Sequence, residues 1–525
     1  MYKLAFTLFA LLPWATSGSC ITTPKTVAEK VLLQLYQKAG RADKPLPALS
    51  ISEENKKVAA YYPARHQIVL DEKAYRLCTE MGKDSLNALA FILAHELAHA
   101  FQAEQGRQST NFLVYGIEDS NSNSREKAAD IQGAFTTYLA GYRIEGILPA
   151  ILERIYKAYG LWGKAVPGYP SFEERSNSAR EVQAMSRRLI SVFEAANYLA
   201  VLEYYSLAIG CHTFLLNYYQ GRDIYNNLGV LHVLQALAYY EESTDRFAHP
   251  LEMEAGSLLR ELDRQRGEGA PTEAEKEQRA ALLQTALSYF QQALDREGSY
   301  LPAVGNAACA LNLLNRPEEA IAFLKKHQFR PGKNGNPANL QLAYGISIAL
   351  QNGQEKAEAA FRQLLSESTP NALYTLTAQY NLEVLNGRAL SFNPPPPFQL
   401  PEAIVRKGRG LQLGLAGSQQ TLVLDPRNGI TLSISRKDNL SEISFGDGSG
   451  AIVSLLWWER AAGQKLLPLE ISNLSVPLSR QFFYNVIPGP EGSYIRSDRD
   501  GLMLKTNRSG EVEEIIRWVR HRRKD

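Results

Sequence analysis

Residues 95 to 106 read HELAHAFQAEQG, and the first five, His95 to His99, have the form HExxH around Glu96. On an α-helix four residues advance the chain by little more than one turn, so both imidazoles project from one face and can grip one ion. Glu96 then lies beside that ion, where a carboxylate can take the proton of an attacking water. A hydrolytic zinc site normally takes three protein ligands, so the pair requires a third.

Three sources for it can be tested, and the first fails. A continuation of the motif along the same helix would need Gly at 102 and His at 105, and the chain has Gln102 and Gln105. The second source is a downstream helix in SNSREKAADIQGAFTTYLAGY, where Ser122 or Ser124 can cap and Glu126 and Asp130 share a face at i and i+4. The third, Glu118 or Asp119, sits in an Asn/Ser-rich connection that positions ligands poorly. Ala94 and Ala98 on the first helix, with Ala128, Ala129, Gly133 and Ala134 on the second, allow a close helix approach, which favours Glu126. Asp130 would then accept a hydrogen bond from a ligand imidazole and fix its tautomer. The competing account of Glu126 is a solvated first-turn carboxylate favoured by the helix dipole.

The elements that must position these groups can be read outward from the motif. The first helix is expected from Asp84, as N-cap, to Gly106, as C-cap. Ahead of it, KVAAYY and QIVLD read as short strands, one of which could offer an edge to an extended substrate. Residues 24–186 are therefore expected to form an α+β unit. Residues 187–390 are almost wholly helical in pattern and self-similar: Ala286, Ala320 and Ala357 recur at 34 and 37 residues, with Phe290 and Phe361 as aromatic companions. That spacing resembles tetratricopeptide repeats, whose stacked helices form a concave groove for extended segments or partner helices. A charged stretch, 241–278, reads as an insertion within one repeat.

NPPPPF, within an expected linker at 391–398, ends the helical array, and 399–525 reads as a small β-rich domain. GDGSG reads as a turn, and the closing RWVRHRRKD as a solvated basic end. The fold expected is thus multidomain: an α+β catalytic unit, an all-α repeat array and a β-rich C-terminal domain.

Composition narrows the function classes. With 57 basic against 55 acidic residues, a charge of +2 gives no electrostatic reason to expect nucleic acid. Residues 1–19 carry Lys3, the apolar run Leu4 to Leu12, Pro13 and small residues, the pattern of a secretory signal peptide. Cys20 after SGS resembles the lipidated cysteine of bacterial lipoproteins, the one route to a membrane that the sequence offers. The other cysteines, Cys78, Cys211 and Cys309, form no CxxC pair and read as buried small side chains.

HELAH followed by EKAAD, AGY at Ala140 to Tyr142 and YPSFEER at 169–175 resembles the gluzincin metallopeptidases of the HtpX and Oma type. With the signal peptide and the repeats behind it, the chain is most similar to their BepA-like members. The resemblance implies one zinc ion held by His95, His99 and Glu126, with Glu96 as general base and Asp130 as the acidic residue of an ExxAD motif. It also implies a site-proximal His-Pro pair and a downstream Arg; here Tyr169 and Pro170 stand for the pair, and Arg175 falls at the matching distance. Tyr169 is a candidate donor to a developing oxyanion. The expected function is an exported, periplasmic or outer-membrane-associated zinc endopeptidase. It would cleave protein or peptide substrates recruited by a protein partner site in the repeat groove, in envelope quality control. The alternative is a chaperone-like scaffold with a latent or vestigial peptidase domain.

Overall fold

A computed structural model of the chain describes residues 23–54, 57–102, 120–164, 171–239, 241–253, 272–366, 372–387, 400–415, 419–426, 429–447, 450–460, 467–468, 486–489, 492–507, 509 and 511–521. The expected signal peptide, Cys20, Gly106, Glu118, Asp119, Tyr169 and the proline-rich linker lie outside the described residues.

Helix α1 (Pro24–Ala39) starts where the Thr23 side chain accepts from the Thr26 amide, and it stops at Gly40, whose φ of 58° only glycine adopts freely. Strands β1 (Ala48–Ser52), β2 (Ala59–Tyr62) and β3 (Gln67–Asp71) form a sheet in the order β1-β3-β2, with β1 parallel and β2 antiparallel to β3. After α2 (Glu72–Thr79), α3 (Ser85–Gln102) carries the HExxH sequence. Every residue from Ala88 to Phe101 is buried, as a helix apolar on all sides must be. The helix starts directly after Asp84, as expected; Asp84 itself ends a 3-10 turn, Gly82–Asp84, and its carboxylate takes Asn87 Nδ2 at 3.0 Å and Arg143 Nη2 at 2.6 Å.

Helices α4 (Ser120–Leu139), α5 (Ile147–Ala158) and α6 (Phe172–Val201) complete this part of the chain. Helix α4 begins at Ser120, so Ser122 and Ser124 lie within it rather than at its cap. Ser171 and Glu174 form a reciprocal capping box at the start of α6. The boundary expected at 186/187 falls inside α6, whose thirty residues run unbroken from the N-terminal α+β unit into the helical bulk.

The helical bulk comprises α7 (Tyr205–Leu215), α8 (Arg222–Ala236), α9 (Glu242–Asp245), α10 (Glu273–Arg296), α11 (Leu301–Leu313), α12 (Pro317–Lys326), α13 (Ala338–Leu350), α14 (Gln354–Ser366) and α15 (Ala372–Leu385). Small residues meet rings where helices pair. A Cβ on Gly345 of α13 would come within 2.5 Å of Phe361 of α14, and one on Gly229 of α8 would collide with Phe290 of α10. Helices α8 and α10 thus pack directly across the stretch between them, and α9 belongs to that intervening stretch.

Helix α16 (Glu402–Arg409) precedes an antiparallel sheet of β4 (Gln420–Asp425), β5 (Ile430–Lys437), β6 (Leu440–Asp447), β7 (Gly450–Glu459), β8 (Leu467–Pro468), β9 (Val486–Gly489), β10 (Gly492–Ser497), β11 (Leu502–Thr506) and β12 (Glu511–Arg520). Its order is β4-β5-β6-β7-β12-β11-β10-β9, with β8 on β12. The expected solvated basic end is corrected here. Trp518 is buried, the strand runs to Arg520, and the His521 amide bonds Ile452 O at 3.0 Å, because both faces of this strand are packed, Trp518 on one and Val519 on the other; residues 522–525 lie outside the described residues.

The sheet docks on α6. The Tyr198 ring meets those of Trp457 and Tyr494 at centroid distances of 5.5 and 6.1 Å, and Lys505 Nζ lies between Glu514 at 3.0 Å and Glu194 at 3.6 Å. Among the described residues no helix is long and apolar enough to cross a membrane.

Candidate metal centre

Helices α3 and α4 cross at Gly133. A Cβ there would stand 2.9 Å from the His95 amide nitrogen and 3.1 Å from Ala94 C and His95 Cα, all backbone atoms that cannot swing aside. This contact brings the motif helix against the face of α4 that carries Glu126 and Asp130.

The donors converge at that crossing. His99 Nε2 lies 3.1 Å from both His95 Nε2 and Glu126 Oε2, and His95 Nε2 lies 3.3 Å from Glu126 Oε2. His95, with His99 one turn on, Glu126 and Asp130 are all buried. Asp130 Oδ1 meets His95 Nδ1 at 2.8 Å, which directs Nε2 toward the other two donors. Arg175, from the first turn of α6, grips Asp130 with two nitrogens, Nη1 on Oδ2 at 2.6 Å and Nη2 on Oδ1 at 3.2 Å.

The electrostatics ask for positive charge at the centre of this group. Burial opposes charging of His95, but Asp130 beside it and hydrogen bonds to Asp130 and Glu126 raise its pKa to about 10. Burial likewise opposes ionisation of Glu126, and the hydrogen bonds from His95 and His99 nevertheless bring it down to about 2. Asp130, also desolvated, is held well below the usual carboxylate range by Arg175 and His95. Two imidazole nitrogens and one carboxylate oxygen, all within 4.8 Å of one another, form the donor set of a zinc site. The residues present therefore fit the ion.

Glu96 is fully buried on the same helix, and its Oε2 accepts the Tyr61 amide at 2.8 Å. Strand β2 is an edge of its sheet, and Tyr61 turns that N–H away from β3 onto Glu96. A main-chain donor has no side-chain signature, so the sequence could show the strand but not this bond. Of the residues singled out in the sequence, the structure brings together His95, Glu96, His99, Glu126, Asp130 and Arg175. Tyr169 is outside the described residues.

The model of Peptidase family M48 matches residues 24–143, which span α1 to the end of α4 and include HELAH and EKAAD. This part of the chain is an M48-type domain, and the match supports a zinc metallopeptidase of that kind. No curated protein matches the chain.

Proposed function

We propose that the protein is an exported zinc endopeptidase of the HtpX, Oma and BepA-like type. In this reading its tetratricopeptide-like array recruits protein substrates in cell-envelope quality control. The observation that carries the catalytic part is the meeting of His95 Nε2, His99 Nε2 and Glu126 Oε2 within 3.1 to 3.3 Å, one helical residue from a buried carboxyl group.

Bound zinc would supply Lewis acidity to a hydrolytic water and to the scissile carbonyl. His95, His99 and Glu126 would hold it, and Asp130, itself fixed by Arg175, keeps His95 in the tautomer that presents Nε2. Glu96 takes the proton from the attacking water and delivers it to the leaving amine. Strand β2 is an edge beside Glu96, and main-chain addition of an extended substrate there, a mode suited to loops and unfolded chains, would require the Tyr61 N–H to leave Glu96 Oε2.

Export, with or without a lipid at Cys20, rests on the first twenty residues of the sequence. Recruitment rests on the helix pairing around Gly229, Phe290, Gly345 and Phe361. The test is Glu96→Gln. The variant should keep its zinc and its fold and lose at least a hundredfold in cleavage of unfolded casein. Unchanged cleavage contradicts the peptidase reading and leaves the scaffold alternative.

A further inference from the structure

The stretch between α8 and α10 holds residues that the metal centre does not use. After α9 the chain runs without helix or ladder strand through Arg246, Phe247, Ala248, His249, Pro250, Leu251 and Glu252 to Met253. As part of the charged stretch 241–278, which reads as an insertion, this segment would be expected at the surface. Instead Phe247, Leu251 and Met253 are 3%, 2% and 5% exposed. Phe247 belongs to one buried apolar cluster with Leu342 and Ile346 of α13, Phe361 of α14 and Leu382 of α15.

The main chain of the segment is read by asparagines. Asn381 of α15 accepts the Ala248 amide at 2.7 Å and donates to the Ala248 carbonyl at 2.9 Å. Asn306 of α11 treats Glu252 the same way, at 2.9 and 2.8 Å, and Asn226 of α8 donates to the same carbonyl at 2.7 Å. All three asparagines are fully buried. A carboxamide in a helical core is costly unless both its ends are bonded, and apolar side chains would fill the same space at less cost. Three of them, on three different helices, turned onto one backbone are suited to hold a peptide main chain whatever its side chains.

We propose that this face of the helical array is a groove for an extended apolar protein segment, and that residues 246–253 occupy it in cis. A ligand in trans would present peptide groups to Asn381 and Asn306 at two positions four residues apart. It would place an aromatic side chain just before the first position and aliphatic side chains just before and after the second, as Phe247, Leu251 and Met253 do. Asp245 fastens the cis occupant at its start, since Arg279 of α10 grips its two carboxylate oxygens at 2.5 and 3.0 Å. An incoming segment must displace the occupant, so recruitment is governed by competition within the chain. This inference rests on the reading of the array as a recruitment module and not on the catalytic reading.

The test uses the full chain carrying Glu96→Gln and reads binding, so its outcome is separate from that of cleavage. The probe is a fluorescent synthetic peptide with the sequence of residues 244–253, TDRFAHPLEM. Weakening the occupant with Phe247→Ser and Leu251→Ser should tighten peptide binding at least tenfold over the parent chain, because the competent fraction rises. Adding Asn306→Ala and Asn381→Ala should abolish that gain. Equal affinity of the parent and the weakened chain, or a gain that survives the asparagine changes, overturns the proposal. Where the serine variants do not fold, hydrogen exchange on the parent chain decides: saturating peptide should speed exchange at Ala248 and Glu252 at least tenfold, and unchanged exchange overturns it.

Discussion

Arg175 and Asp130 are joined by two hydrogen bonds, at 2.6 and 3.2 Å, although 45 residues separate them and both are buried. The pair ties α6 to the imidazole of His95, so the orientation of a candidate metal ligand depends on the first turn of a helix that runs on to the C-terminal sheet. Arg175→Gln removes the fork and leaves a buried carboxylate with weaker compensation. Zinc affinity, read by chelator competition, should fall about 10- to 100-fold. Arg175→Lys keeps the charge without the fork and should fall between. A glutamine variant with parental affinity would show that Asp130 orients His95 unaided.

Gly133→Ala has two opposed effects. In an exposed helix the change would stabilise by about 1 kcal/mol. Here the new methyl meets the backbone of α3 at 2.9 to 3.1 Å, so the helices must part. The expected result is a net loss of about 1–3 kcal/mol in urea unfolding, together with weaker zinc binding. A variant more stable than the parent, with zinc binding intact, would mean that the crossing does not set the ligand geometry.

Acid should weaken the helical bulk through its buried histidines. Burial pushes His212 down to about 3 and His232 down to about 4. Both are below the value of about 6.5 for an exposed histidine, so the unfolded chain binds the extra protons. Their contribution is fully present above about pH 6.5 and is lost as pH falls toward the folded values, at up to about 1.4 kcal/mol per pH unit for each. Urea unfolding of the parent and of His212→Leu at pH 7.5, 6.5 and 5.5 checks this. The variant should lose less stability across that range, and equal losses would contradict the assignment.

Much of the metal centre was legible because its chemistry is carried by side chains at helical spacing. His95, Glu96 and His99 announce themselves, and the alanines and Gly133 signal a close neighbour helix. Asp130 and Arg175 could be paired only once the fold had brought α6 back to α4. Tyr61 carries no such signal, because its contribution is an amide that any residue but proline possesses. Asn226, Asn306 and Asn381 read as isolated polar letters in apolar helices, and their common target is 26, 54 and 133 residues away. The strand in RWVR was obscured by its charges, because Arg517 and Arg520 fall on opposite faces of a strand that is packed on both sides and no clean alternation shows.

Metal analysis of the purified chain and of Glu126→Ala addresses the two-helix site most directly. The parent should carry one zinc ion per chain, and the variant, left with His95 and His99 alone, should retain less than a tenth of it at the same free zinc concentration. Undiminished zinc in Glu126→Ala would show that α4 does not complete the site.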